Sequence, residues 1–316
     1  MSVNDGEHEA QELFSLTVLG AGAVHGLGGC ENLWALRRAG AEPALEGPLP
    51  PPDLADLPQL LPGISLRRVP RYARMGLLAA ARVLAAWDGP PPAPEHTALV
   101  LGTAYSGVEM SMDFMDSMLD AGPRLSSPTA FSHAVNNMGA GLLSLALALR
   151  GPCCTVSQFE LSFAGALSAA ATLLRAGRAK HALVGAVDET DTRFARACPA
   201  VAQGPCATGE GAVFLLVAAD GPERLPRLVT RWNAAMPPDM PLLLSGLAEK
   251  NVASGVERSA APQRWERLYG RTPLAQAFDT LLGLDMLSDK SAPAERMACL
   301  CAEAHGGRAL IELWRK

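Results

Sequence analysis

The sequence contains no run rich in lysine or arginine, and its 27 basic against 32 acidic residues leave a mild net charge of −5. Nucleic acid is therefore not expected as a partner, because such binding needs a concentrated basic face. No apolar stretch approaches the length of a membrane span, so no membrane association is expected. The opening MSVNDGEHEAQ is polar and acidic and lacks the basic and apolar regions of a signal peptide. The expectation is a soluble cytoplasmic protein. None of the seven cysteines stands in a C-x-x-C pair, so a zinc site is not expected, and the thiols read as reduced and buried. Gly20-Ala21-Gly22 lacks the third glycine of a dinucleotide motif, since position 25 is His25. Small residues there read as letting a turn pack tightly. No short-period repeat is found.

What is present is an alternation of apolar runs and helical periodicity. Residues 153–157 are short and apolar, as a buried strand should be. Over residues 161–175 the apolar positions recur at three and four, which predicts a helix, and Gly177 stops it. Residues 181–187 read as a second strand. The turn between them ends at a helix N-terminus, where backbone N–H groups and the helix dipole favour negative charge and where α/β enzymes hold a nucleophile. Here that turn carries Glu160.

The rest of the chain follows the same alternation. Strands are expected at 14–23, 97–103, 213–218, 241–245, 298–301 and 309–314, and helices at 31–39, 71–87, 108–119, from about 136 onward, and at 273–287. The proline-rich 47–62 reads as a surface loop, 125–135 as a loop and 193–209 as irregular. The methionines of 108–119 read as core filling. Asp188-Glu189-Thr190-Asp191 reads as an exposed strand-to-loop junction, and Asn136 and Asn137 as helix caps. Strands alternating with helices imply a mixed α/β fold with covered sheet faces.

In order, the segments FSLTVLGAGAVHGLG, LGTAYSG, SSPTAFSHAVNNMGAGLLSLALAL, TVSQFELSFAGAL, HALVGAVDE, ATGEGAVFLLV and AHGGRALIELW resemble the β-ketoacyl synthase family. The phrase SPTAFSHAVNN is most similar to the short synthase-like subunits of bacterial aryl-polyene pathways. The resemblance implies a thiolase-like, layered αβαβα fold with two related halves, the second abbreviated. It divides the chain into a ketosynthase-like half over 1–220, which carries the vestigial nucleophile turn, and a shortened half over 221–316.

An active synthase of this family needs a cysteine nucleophile at the turn and, in its commonest subclass, two histidines. The resemblance places Glu160 at the nucleophile position, after Thr155-Val156-Ser157-Gln158-Phe159. A carboxylate cannot form the acyl thioester. Arg271, in Tyr269-Gly270-Arg271-Thr272-Pro273, stands where one family histidine opens a helix. His305 aligns with the aromatic of the family's last glycine-rich turn, which completes an oxyanion hole, and the E-A-H-G-T-G-T phrase is absent. No catalytic residue is therefore expected. Ser157 and Ser162 have no evident base partner, and Cys154 and Cys206 lie off the turn.

Three roles remain open for Glu160: a structural carboxylate at a helix N-terminus, a plug of the vestigial acyl site, or a general acid or base buried beside Phe159 and Phe163. The resemblance also implies that Phe131, His133 and Asn137, with Phe159 and Phe163, line an acyl tunnel. It makes Cys153, Cys154, Thr155, Val156 and Ser157 the edge of a dimer. The expected partners are an active ketosynthase and, mainly through it, acyl carrier protein. No metal or nucleotide cofactor is implied. Two other readings are a malonyl-carrier-protein decarboxylase or acyltransferase using the remnant oxyanion hole, and a homodimeric structural or regulatory relic.

Overall fold

The computed structural model describes residues 14–41, 49–197, 208–234, 240–245, 263–289, 295–303 and 307–315. The strands are β1 (Leu16–His25), β2 (Thr97–Gly102), β3 (Cys153–Val156), β4 (His181–Asp188), β5 (Gly211–Ala218), β6 (Arg227–Trp232), β7 (Leu242–Ser245), β8 (Arg296–Ala302) and β9 (Arg308–Trp314). The helices are α1 (Cys30–Arg38), α2 (Leu57–Leu60), α3 (Arg71–Ala86), α4 (Val108–Ala121), α5 (Pro128–Ala134), α6 (Met138–Ala146), α7 (Ser162–Arg175) and α8 (Thr192–Ala197). Two more, α9 (Glu266–Tyr269) and α10 (Ala275–Ser288), follow in the last third of the chain.

The nine strands pair in the order β3-β2-β4-β5-β1-β6-β9-β8-β7. Reading outward from β1, the pairings are antiparallel to β5, antiparallel to β4, parallel to β2 and parallel to β3. Reading outward from β6, they are antiparallel to β9, antiparallel to β8 and parallel to β7. The same pattern therefore occurs twice, and among the described residues the second copy has one strand fewer. The copies meet at two residue pairs, Leu16↔Leu228 and Thr17↔Arg227.

Helix α3 covers one face of the first copy, against β1, β5 and β4. Helix α7 packs on the opposite face, over β2 and β4, and α10 packs on β8 and β7 while also touching α7 and β5. A single apolar cluster joins these inner elements, from Val100, Leu167 and Val184 to Phe278, Leu281 and Ile311. The close approach of α3 depends on Gly22, where a Cβ would lie 2.4 Å from the Ala79 carbonyl oxygen. Gly20–Gly22 lie within β1, paired to β5, and not in the expected turn; the expectation that small residues allow close packing there holds.

Four expectations are corrected. Residues 128–134 form α5 because the Ser127 hydroxyl accepts the Ala130 N–H and Pro128 takes the first helical position. Residues 192–197 form α8 because the Asp191 carboxylate accepts the N–H groups of Arg193 and Phe194. Part of the expected loop at 47–62 is the short helix α2. The methionines of α4 do not fill the core: Met115 and Met118 are exposed, because α4 packs on α5 and α8 rather than on a sheet face.

Candidate functional site

The turn after β3 is a short 3₁₀ segment, Phe159–Leu161, that feeds α7. Ser162 ties it together. Its hydroxyl oxygen accepts the Gln158 N–H at 2.9 Å and lies 2.7 Å from the Phe159 carbonyl oxygen and 2.9 Å from that of Thr103. Ser162 thus closes the turn and fastens it to the end of β2. Phe159 has a φ of +45°, a conformation that costs a non-glycine residue energy, and its ring is exposed. The turn rests on the end of β2, where a Cβ on Gly102 would come within 2.7 Å of the Ser162 carbonyl oxygen. Substitution at Gly102 would push the turn outward.

Glu160 is buried, at 8% exposure. Its carbonyl oxygen lies 3.5 Å from the Cys301 thiol on β8, so the turn docks onto the second copy of the repeat. Burial, then the nearby Glu160, raises the Cys301 pKa well above the ordinary thiol value. Phe163 is buried in the inner cluster. Phe159 instead meets Tyr105 edge-on at 6.2 Å, and Tyr105 contacts Phe194 at 4.9 Å.

The other candidates lie on different elements. Phe131 is exposed on α5 with its ring 5.2 Å from Phe114, and His133 is half-buried on the same helix. Asn137 occupies the N-cap position of α6 without a side-chain capping bond. Arg271 is half-buried, and its carbonyl accepts the Gly209 N–H at 3.0 Å. This bond ties the loop before α10 to the start of β5. His305 and Cys206 lie outside the described residues.

Residues Cys153 to Ser157 include the whole of β3. Its one partner strand among the described residues is β2, so its other edge is open. Cys153 is exposed and Cys154 half-buried, which corrects the expectation that all thiols are buried, whereas Cys299 and Cys301 conform to it. The opposite sheet edge differs. There Gln263 exchanges backbone hydrogen bonds with Leu242 and Leu244 and so caps β7. Helix α6 packs on β3 and β2, α5 on α6, and α4 on α5; on and between these helices large apolar side chains stand in solvent: Leu119, Leu125, Phe131, Val135 and Leu145, the last 79% exposed.

Sequence reasoning missed two buried carboxylate networks. Asp188 and Glu189 are buried rather than exposed, because each satisfies backbone donors of the segment leading into α4. Asp188 accepts the Ala104 and Tyr105 N–H groups and the Thr103 hydroxyl at 2.8–2.9 Å. Glu189 accepts the Glu109 N–H at the start of α4. Burial pushes both carboxyl groups up to about 7, against these hydrogen bonds. Glu210 holds Arg71 at 2.9 Å and the Thr190 N–H at 3.0 Å. The signal available was the unbroken apolar run that leads straight into Asp188.

In the second network the Tyr269 hydroxyl donates to Asp279 at 2.7 Å, with the Tyr269 ring stacked on Phe278. Burial raises Asp279 to about 7. Among the described residues no group of three His, Cys, Asp or Glu side chains is arranged to hold a metal ion. No helix among them is long and apolar enough to cross a membrane.

The model for the β-ketoacyl synthase N-terminal domain matches residues 27–218, more than half of the chain. The chain belongs to the β-ketoacyl synthase family. Its thiolase-like fold is shared with the ishigamide ketosynthase/chain length factor, at a TM-score of 0.73 and 21% identity over 95% of this chain and 99% of that one. It is also similar to a type II polyketide-synthase structure of an acyl-carrier protein in complex with its ketosynthase bound to the hexaketide. The TM-score is 0.77 and the identity 16%, over 96% of this chain and 100% of that one. A third similar structure is the ketosynthase ApeO in complex with its chain length factor ApeC from Xenorhabdus doucetiae. Its TM-score is 0.60 at 16% identity, over 95% and 99% of the two chains. Among curated proteins there is no match.

Proposed function

We propose that this β-ketoacyl synthase family member is a non-condensing subunit of the chain-length-factor type. It pairs with an active ketosynthase and shapes the tunnel in which a polyene or polyketide chain grows. The observation that carries this reading is the β3 edge, which has no second partner strand among the described residues, together with the exposed apolar side chains of α4, α5 and α6, of which α6 packs on β3. An unpaired strand edge presents a row of backbone donors and acceptors that a second strand can satisfy. An apolar surface next to it adds the desolvation energy that a stable interface needs.

The turn supports the non-condensing half of the reading. Glu160 takes the place of the family's nucleophilic cysteine and fills the site with a carboxylate that cannot carry an acyl thioester. Arg271 and His305 take the places of the other family residues named above. Phe131, His133, Asn137 and Phe159 lie on the partner-facing side and line the tunnel entrance, while Phe163 supports the turn from within. Two of the similar structures are ketosynthases with chain length factors, and a third holds an acyl-carrier protein, which supports both proposed partners. The carrier protein engages mainly the ketosynthase subunit.

Co-expression with the candidate ketosynthase tests the reading. The expected result is a 1:1 complex on size-exclusion chromatography with light scattering, with condensing activity that neither chain has alone. Leu145→Asp and Leu119→Glu on the apolar face are expected to abolish the complex while leaving each chain folded. The reading fails if the chain alone is a homodimer that decarboxylates malonyl-carrier protein and Glu160→Ala abolishes that turnover.

A further inference from the structure

Helix α4 begins without a cap of its own. Its N-cap is Gly107, where no side-chain capping bond is made. The acceptors come from the end of β4. Glu189 takes the Glu109 N–H at 3.0 Å, and Asp188 takes the Ala104 and Tyr105 N–H groups at 2.9 Å each. A Cβ on Gly107 would lie 3.9 Å from Glu189 Oε1. Past its first turn α4 packs on α5 and α8. Two neighbouring carboxyl groups therefore hold the start of the helix that carries Met115, Met118 and Leu119 into solvent. The segment they hold also carries the turn at Glu160. The Ser162 hydroxyl oxygen lies 2.9 Å from the Thr103 carbonyl oxygen, and the Tyr105 ring meets Phe159 edge-on.

Charged groups face this pair from several elements. Arg71, on α3, lies 4.0 Å from Glu189 Oε2 but is shared with Glu210 at 2.9 Å. The Tyr72 phenol, also on α3, feels both carboxyl charges. Glu109, at the start of α4, adds a further negative charge beside Glu189. Arg193, on α8, reaches the Glu109 carbonyl oxygen at 3.4 Å but pairs with Asp113, Asp116 and Asp191. On α5, the His133 carbonyl oxygen would lie 3.3 Å from a Gly107 Cβ. Among the described residues, Glu189 Oε2 and the hydroxyls of Tyr72 and Ser106 are buried without a hydrogen-bond partner. Ser106 is also held at a φ of +60°, which costs a serine energy. A proton on each carboxyl group removes its charge and leaves an oxygen to accept the backbone bonds. Two ionised groups instead lie side by side out of water, at a cost that release of the segment removes.

We propose that Asp188 and Glu189 form a pH-operated latch on α4, closed when the pair is protonated and opened when both groups ionise, which frees residues 104–109 and the first turn of the helix. That the latch regulates pairing rests on the proposed function, in which α4 and α5 belong to the partner-facing side. The direction follows from linkage. Burial holds both groups near 7 in the closed latch, whereas solvent returns them to the ordinary range near about 4. Opening is therefore favoured increasingly as the pH rises from about 4.5 to 7, and the gain levels off above that.

Hydrogen exchange of the full chain alone, read by mass spectrometry from pH 5.5 to 7.5 and corrected for intrinsic rates, tests the latch. Protection over residues 104–112 is expected to fall about a hundredfold, at about tenfold for each carboxyl group that ionises on opening. Peptides from β4 and β5 are expected to fall far less. Glu189→Gln keeps an acceptor for the Glu109 N–H but loses one titrating group, so its fall is expected to be about tenfold smaller. His133 is a histidine beside the segment, and His133→Gln is the control, expected to reproduce the wild-type fall. The proposal is overturned by wild-type protection that does not change with pH, or by a segment that merely follows β4 and β5. A fall undiminished in Glu189→Gln, or erased in His133→Gln, overturns it as well. The wild-type curve decides even if a variant fails to fold, and it decides the latch whether or not the chain pairs with a ketosynthase.

Discussion

His25 gives a quantitative handle on how the two copies of the repeat hold together. It ends β1 and is buried, with Nε2 2.9 Å from the Tyr269 carbonyl oxygen and Nδ1 accepting the Leu27 N–H at 3.1 Å. That pair of contacts fixes a neutral ring, with the proton on Nε2. Adding a proton to Nδ1 would destroy the acceptor and leave a buried cation with its ring centre 5.2 Å from that of Phe278. Burial accordingly lowers the His25 pKa from 6.5 to about 4, and the bond to Tyr269 only partly opposes it.

The sign follows from linkage. Between pH 6.5 and 4 the unfolded chain binds a proton at this histidine and the folded chain does not, so stability falls as the pH falls. The full difference amounts to about 3 kcal/mol, accumulating at up to about 1.4 kcal/mol per pH unit. Other groups titrate in the same range, so the informative quantity is the difference from His25→Gln. This variant keeps a donor and an acceptor but carries no titrating ring. Urea unfolding followed by tryptophan emission at half-unit steps from pH 4.5 to 8 supplies both curves. Wild type is expected to lose ground to the variant steadily below pH 6.5. A difference constant to within about 0.5 kcal/mol over that range, the scatter of an ordinary surface substitution, would refute the neutral, doubly bonded histidine.

Three further outcomes follow from other parts of the molecule. Asp188→Ala strips the acceptor from two backbone N–H groups and one hydroxyl beneath α4. It is expected to cost about 2–5 kcal/mol in urea unfolding, at about 1–3 kcal/mol for each buried donor left unpaired, less what entering water recovers. Asp279→Asn keeps an acceptor for the Tyr269 hydroxyl but removes a carboxyl group that burial holds near 7. A raised folded-state pKa means wild-type stability is lost as pH rises through 7, so the variant should gain on wild type between pH 6 and 8.5 in the same assay. Gly22→Ala drives a methyl group against the Ala79 carbonyl oxygen and the Val83 side chain. The expected cost of about 1–3 kcal/mol should appear as a lower melting temperature by circular dichroism.

The sequence was most legible where one face of an element is buried and its period is clean. The strands β2, β4 and β5 and the helices α3, α7 and α10 fall within two residues of their expected bounds. These are the elements that pack into the two large apolar clusters, the inner one described above and a second one around α3, with Met75, Leu78, Leu101 and Phe214. The misses lie where local capping or distant partners decide. Helix α5 depends on one serine hydroxyl, and α8 on one aspartate. Strand β6 was not singled out because Arg227–Trp232 alternates weakly and is held by β1 and β9, both remote in sequence. Asp188 and Glu189 looked like solvated charge because the donors they satisfy, around residues 104–109, lie some 80 residues away. At the candidate site the turn and its helix were readable from local spacing. The docking of that turn on Cys301 was not, because it joins residues 141 apart.

The contrast between the two ends of the sheet carries a practical consequence for production in cells. Among the described residues, the chain's own Gln263 bridges the edge of β7, whereas β3 has no second partner strand, and Leu145 on the helix packed against it is exposed. A chain made in excess over whatever covers that edge would carry a templating strand into a crowded cytosol, where edge-to-edge association is the ordinary fate of such surfaces. Under the proposed pairing, yield should therefore track the ratio in which the two chains are made more than the intrinsic stability of this one. Purification from a balanced co-expression should recover material that expression of this chain alone loses to aggregates.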